Sequence, residues 1–136
     1  MMSYTISICA NNSEISELQN YYSSFSNSMT NNLNFNFSEG KYYKVLLDDK
    51  LIGFASVVDE DYSFVDLKRY IDPEHRNKGV SGALLEFIIQ DAKTLNKTRL
   101  TGSFLGDNEN VVNFFISKGF KVATGKTFSM VILSLK

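Results

Sequence analysis

From Tyr70 to Leu85 the chain reads Tyr-Ile-Asp-Pro-Glu-His-Arg-Asn-Lys-Gly-Val-Ser-Gly-Ala-Leu-Leu, and the residue types in this stretch suit the capture of an anion. Pro73 has no N–H to give a sheet, so a strand running into it must stop. The Gly79 to Gly82 region then opens a helix, whose first N–H groups have no partner inside it and sit at the positive end of its dipole. Glycine-containing turns let backbone N–H groups wrap phosphate oxygens closely, and Arg76 and Lys78 add full positive charges beside them. Bases at a helix start, where structural helices prefer acids, favour reading the stretch as a diphosphate cradle.

Other chemistry-bearing residues are sparse. His75 is the only histidine, and before a charged turn it reads as a surface residue. Cys9 is the only thiol; it cannot form an internal bridge and lacks the Cys/His companions of a zinc site. Gly79-Val80-Ser81-Gly82-Ala83 imitates a nucleophile elbow, but its last position is Ala and the sole histidine lies upstream. Gly125-Lys126-Thr127 imitates the end of a P-loop, yet position 120 is Phe and a strand, not a helix, should follow.

The elements that must position the cradle follow from periodicity. Tyr4 to Cys9 alternates as a half-buried strand, and Asn12 or Ser13 can cap a helix carrying Ile15, Leu18, Tyr22 and Phe25. Ser26 to Phe37 fits neither period and is expected to be irregular. Lys41–Leu47 and Leu51–Val58 form a hairpin across Asp48-Asp49-Lys50, and Asp59-Glu60-Asp61 turns the chain back into Ser63–Ile71. The helix from Gly79 places Val80, Leu84, Phe87, Ile88 and Leu95 on one face. Thr98–Phe104 follows it as a strand parallel to the one before, which leaves a seam in an otherwise antiparallel sheet. Asp107 or Asn108 caps a short helix with Val111, Val112 and Phe115 inward, ended by Gly119, and Phe120–Ala123 with Phe128–Leu135 closes a last hairpin. The expected fold is α/β (α+β): a mixed, mostly antiparallel sheet with a central parallel pair, flanked by helices.

The 136 residues are expected to make one domain, 1–136, with a core that needs no disulfide or metal. A net charge of -1, from 14 basic against 15 acidic side chains, argues against general nucleic-acid binding. No apolar run approaches membrane-spanning length and no signal core follows the N-terminus, so a cytoplasmic location is expected.

From about Lys41 to Leu135 the sequence resembles the GNAT superfamily of acyl-CoA-dependent N-acetyltransferases. Arg76-Asn77-Lys78-Gly79-Val80-Ser81 is similar to the family's Arg/Gln-x-x-Gly-x-Gly/Ala signature, preceded by Ile71-Asp72-Pro73 and followed by Leu84-Leu85. Asn108 through Val111, Phe114 and Phe115 to Gly119-Phe120 resembles its Asn-to-Gly-Phe segment. Short glycine patterns recur by chance, but two in the right order and context are specific. The resemblance implies acetyl-CoA as acyl donor and no metal. It puts pantetheine along the strand at Ile71, the diphosphate on Arg76, Asn77, Lys78, Gly79, Val80, Ser81 and Gly82, and Asn108 near the pantetheine arm.

Two positions depart from the family pattern. Ser81 replaces a second Gly or Ala, but it is small and its hydroxyl can cap the helix or meet phosphate. Phe115, also at the cofactor site, stands where many members have a Tyr that returns a proton to the leaving thiolate, and a phenyl ring has none to give.

Acyl transfer to nitrogen needs a neutral amine, whereas an alkyl ammonium has a pKa near about 10.4. Asp66 is the candidate base, since carboxylates on that strand face the acceptor side in many relatives, and it also reads as an ordinary exposed strand residue. The expected function is N-acetylation of a primary amine by direct attack in a ternary complex; the alternative is a non-catalytic acyl-CoA-binding sensor or interaction module. The acceptor is unassigned, with Asp59, Glu60 and Asp61 one candidate patch, and Tyr42, Tyr43 and Tyr70 read as acceptor-pocket or core residues. A homodimer could pair along an exposed edge of the C-terminal hairpin.

Overall fold

The computed structural model describes residues 4–26, 40–76 and 78–135, with the backbone alone for 24–26. Most of the expected irregular stretch from Ser26 to Phe37, and Asn77 of the cradle, lie outside the described residues. Among the described residues the order is β1 (Tyr4–Ile8), α1 (Asn12–Ser26), β2 (Lys41–Leu47), β3 (Lys50–Asp59), β4 (Ser63–Ile71), α2 (Val80–Thr94), β5 (Arg99–Leu105), α3 (Glu109–Ser117), β6 (Lys121–Ala123) and β7 (Phe128–Ser134), with a 3₁₀ turn at Pro73–His75. The strands form one sheet in the order β1-β2-β3-β4-β5-β7-β6. Its β4–β5 pair is parallel, while β1–β2, β5–β7 and β6–β7 are antiparallel, so the expected mixed sheet with a parallel seam is present. By contacts the chain divides into two compact units, residues 1–56 with 69–88 and residues 57–68 with 89–136.

In the first unit, the β2–β3 turn is built on two residues with positive φ, Asp48 at 49° and Asp49 at 69°. That pair matches the strand twist of a two-residue hairpin, and Asp tolerates it by short-range hydrogen bonding. Neighbouring residues of β2 face opposite ways. Tyr42 joins Leu18, Phe54 and Tyr70 in a buried cluster against α1, while the ring of Tyr43 lies 6.0 Å from that of Phe87 on α2. All three tyrosines named as acceptor-pocket or core residues, Tyr42, Tyr43 and Tyr70, are core. The cap of α1 is one residue earlier than expected. Asn11, not Asn12 or Ser13, accepts the Glu14 N–H at 3.0 Å, and the Glu14 carboxylate reaches back to the Ala10 N–H and pairs with Lys44 at 3.1 Å. Gly53 of β3 is a close approach: a Cβ there would lie 2.7 Å from Ile71 Cδ1 and 2.9 Å from the Tyr70 carbonyl oxygen.

In the second unit, Ser63 faces Arg99, Phe64 faces Leu100 and Leu67 faces Gly102, with a bulge between Phe64 and Leu67. Asp66 within that bulge has φ 56°. Asn108 caps α3 as expected, and Gly119, at φ 93°, ends it. Leu95, expected on the apolar face of α2, is exposed instead, because the helix stops at Thr94 and Asn96 turns the chain in the left-handed region.

Candidate functional site

The cradle is built where β4 gives way to α2. The Asp72 N–H donates to the Ile52 carbonyl at 2.8 Å, the last tie to the sheet before Pro73 removes the next donor. The buried Asp72 carboxylate then accepts the Glu74 N–H at 3.0 Å and caps the 3₁₀ turn. Arg76 returns to extended backbone, and Gly79 turns at φ 82° into α2 with open space where a Cβ would stand. The first helical closure is Ala83 N–H to Gly79 carbonyl, 3.0 Å. N–H groups earlier than that closure have no partner within the helix, and no acid occupies its first turn. Residues Gly79, Val80, Ser81 and Gly82 therefore present an anion-compatible mouth, with Lys78 exposed beside it.

The two charged side chains expected at the cradle differ in placement. Arg76 folds back: its Nε donates to the Ile71 carbonyl at 2.8 Å and its Cζ lies 5.6 Å from the Tyr70 ring centre. It braces the end of β4, where Ile71 is buried. A basic residue that the sequence reading passed over, Arg69 of β4, reaches α2 instead and donates from Nη1 to the Ser81 hydroxyl. Burial draws its guanidinium down to about 10, still charged at neutral pH.

Around this junction is a tyrosine-rich group. Burial and the nearby Asp72 carboxylate push the Tyr21 phenol upward; burial does the same for Tyr70, partly opposed by Arg76, and carries Tyr42 to about 12. The Cys9 thiol rises to about 11, through burial first and then the Glu14 charge. Such a thiol is a poor nucleophile at neutral pH.

The remaining candidates lie in the second unit. Asp66 presents a half-exposed carboxylate, 3.4 Å from the Lys68 ammonium. Asn108 Oδ1 accepts the N–H groups of Asn110 at 2.9 Å and Val111 at 3.4 Å. Phe115 is buried, stacked on Phe104 at 5.7 Å and edge-on to Phe114 and Phe120. In the acidic patch, Asp59 is taken by Lys97 at 2.6 Å, and that ammonium also meets the Glu60 carbonyl at 2.6 Å.

Sequence reasoning missed Arg69, Asp72 and Lys97. For Asp72 the signal was present, since Asp-Pro is a turn-opening pair. For Arg69 the only signal was a cation near the end of a strand that also precedes a serine in the signature. Among the described residues no group of three or more His, Cys, Asp or Glu side chains is placed to hold a metal, and no helix is long and apolar enough to cross a membrane.

The same arrangement of elements occurs in known proteins. The ribosomal-protein-S18-alanine N-acetyltransferase of Escherichia coli superposes with a TM-score of 0.76 at 16% identity, over 98% of this chain and 95% of that one. An acetyltransferase of the GNAT family from Streptococcus pneumoniae gives 0.77 at 14% identity, over 97% and 100%. YncA of Salmonella typhimurium, solved with its cofactor acetyl-CoA, gives 0.74 at 17% identity, over 98% and 94%. At such identities the likeness is one of fold. No curated protein sequence matches the chain. The profile of the acetyltransferase (GNAT) domain, however, matches residues 38–122, a span that includes the β4–α2 junction and the Asn108 cap, and the chain belongs to the GNAT acetyltransferase family.

Proposed function

We propose that residues 1–136 act as one domain that transfers an acetyl group from acetyl-CoA to a primary amine, by direct attack in a ternary complex. The observation that carries this reading is the β4–α2 junction, an acid-free helix start entered through Gly79 at φ 82° inside the family match. Bound acetyl-CoA supplies a thioester carbonyl open to a neutral amine. In this reading the first N–H groups of α2 hold the diphosphate, with Lys78 adding charge. A backbone N–H near Ile71 meets the developing oxyanion, a contact that side-chain changes leave intact. Asp66 takes one proton from the ammonium through water; the nitrogen–carbon bond forms as the carbon–sulfur bond breaks, and the second nitrogen proton leaves to solvent. Solvent returns a proton to the thiolate, because Phe115 has none. Direct attack is favoured over a covalent enzyme intermediate by the raised Cys9 thiol.

The test is calorimetric titration of desulfo-CoA and acetyl-CoA, followed by free-thiol release against a panel of primary amines. Binding with amine-dependent release supports the enzyme, and Asp66→Asn should then lower kcat about 100-fold with desulfo-CoA affinity unchanged. Binding with no release from any amine favours the second reading, a non-catalytic acyl-CoA-binding module. That reading is motivated by the buried, hydroxyl-free Phe115 at the position of the family's proton donor. Absence of binding would sink both.

A further inference from the structure

Ser81 departs from the small apolar residue of the signature, and the contact made by its side chain gives the departure a physical meaning. It lies in the first turn of α2, and its hydroxyl oxygen accepts from Arg69 Nη1 on β4. Arg69 comes from the strand whose next residue, Tyr70, packs into the aromatic cluster against α1; the pleat therefore delivers the guanidinium to the opposite face, where α2 lies. A hydroxyl whose oxygen is engaged by a donor keeps its O–H for an acceptor elsewhere, and a neighbouring cation polarises that O–H. Serine is neutral, so this bond itself does not cancel the guanidinium charge.

We infer that Arg69 is a positioning residue for the diphosphate: it orients the Ser81 hydroxyl as an added donor in the cradle and sets a fixed positive charge behind the first turn of α2. The inference rests on the acetyl-CoA reading above and extends it to two side chains. It also narrows the expectation for Ser81, whose hydroxyl could cap the helix or meet phosphate, to the second of these. A serine merely tolerated at that position would be neutral on replacement by alanine, the residue the signature favours, whereas a serine aligned by Arg69 would be missed.

The experiment is titration of desulfo-CoA into the full chain and its Ser81→Ala, Arg69→Met, Arg69→Lys and Ser81→Ala/Arg69→Met variants, at low and high NaCl. Ser81→Ala should weaken binding about tenfold, the scale of one charge-assisted hydrogen bond. Arg69→Met should lose at least as much, with part recovered in Arg69→Lys. The double variant should lose less than the product of the two single losses, because the side chains act through one contact. The gap between the native chain and Arg69→Met should also narrow as salt rises, which a packing role would not produce. If Arg69→Met does not fold, as a melting curve will show, Ser81→Ala decides alone, since alanine suits a helix first turn. A Ser81→Ala protein that binds as tightly as the native chain overturns the inference and leaves the acetyl-CoA reading standing. A native chain that does not bind desulfo-CoA overturns both.

Discussion

Each compact unit holds a knot of aromatic rings, and the two are chemically unlike. In the first, Tyr21 and Tyr22 of α1 stand edge-on to Phe54 and Tyr70, from 5.5 Å for Tyr22–Tyr70 to 6.2 Å for Tyr21–Phe54. Its rim has an acid and a base, Asp72 near Tyr21 and Arg76 over Tyr70. In the second, Phe104, Phe114, Phe115 and Phe120 pack with no hydroxyl among them, one pair nearly parallel at 8°. Both bury apolar area and gain from ring geometry. Only the first contains groups whose charge can respond to solution or ligand. The second is an apolar support for α3, with Phe115 buried inside it.

Removing a ring from the phenylalanine cluster tests the contrast most severely. Phe115→Ala should cost about 3–5 kcal/mol in urea unfolding, the range for deleting a buried aromatic. Phe115→Tyr is the informative companion: a buried hydroxyl without a partner costs about 1–3 kcal/mol. If instead it is nearly neutral and raises thiol release, the second cluster can host proton chemistry and the contrast breaks. In the tyrosine cluster, Gly53→Ala forces a Cβ against Ile71 and the Tyr70 carbonyl, and should cost about 1–3 kcal/mol by overpacking. A neutral result would show that the strands beneath Tyr70 yield easily.

Asn108→Ala should lower stability by about 1 kcal/mol through the lost cap of α3, and Asn108→Asp should restore it. A weakened acetyl-CoA affinity in the stable Asp variant would separate a ligand role from the cap.

Alkali should produce the smallest effect. Cys9, with a thiol raised to about 11, and Tyr42, with a phenol raised to about 12, release protons more readily when unfolded. The unfolded chain then binds fewer protons, so stability falls as pH climbs from about 9 toward these raised values. Urea midpoints at pH 7.5 and 10 should differ in that direction, and Tyr42→Phe should flatten the slope. An unchanged midpoint would remove the chemical distinction between the clusters.

The fold was legible because its signals are local. Period-two alternation marked β1, apolar runs bounded by turns the later strands, Asp48-Asp49 the hairpin, and Asn108 with Gly119 the ends of α3, each decided within a few residues. The junction at Gly79 was legible for the same reason. What escaped depends on partners far along the chain. Nothing near Lys97 announces that its ammonium will be sheathed by the carbonyls and carboxylate of the Asp59–Asp61 turn. Nothing near Gly53 announces Ile71, and Leu95 continues the helical period although the backbone has already turned. Nothing local announced the placement of the two arginines: the Arg76 guanidinium found a carbonyl at the strand end and that of Arg69 a hydroxyl on the helix.

The bulge at Asp66 has a consequence for how β4 can change through time. Three steps along β4, Phe64 to Leu67, are matched by two along β5, Leu100 to Gly102, so the strand's odd–even parity is reset there. Phe64 and Leu67 are both buried although they stand three positions apart, an odd offset. Excision of Asp66 would remove the extra residue, leaving Phe64 and Leu67 two apart opposite Leu100 and Gly102, so the alternation becomes regular and every side chain keeps its face. Removal of Lys68, which is outside the bulge, would instead make Tyr70 and Arg69 trade faces, sending a cation into the aromatic cluster and a phenol toward α2. A single-residue deletion, which elsewhere in a strand acts as a frameshift in space, here has one position at which the sheet can absorb it.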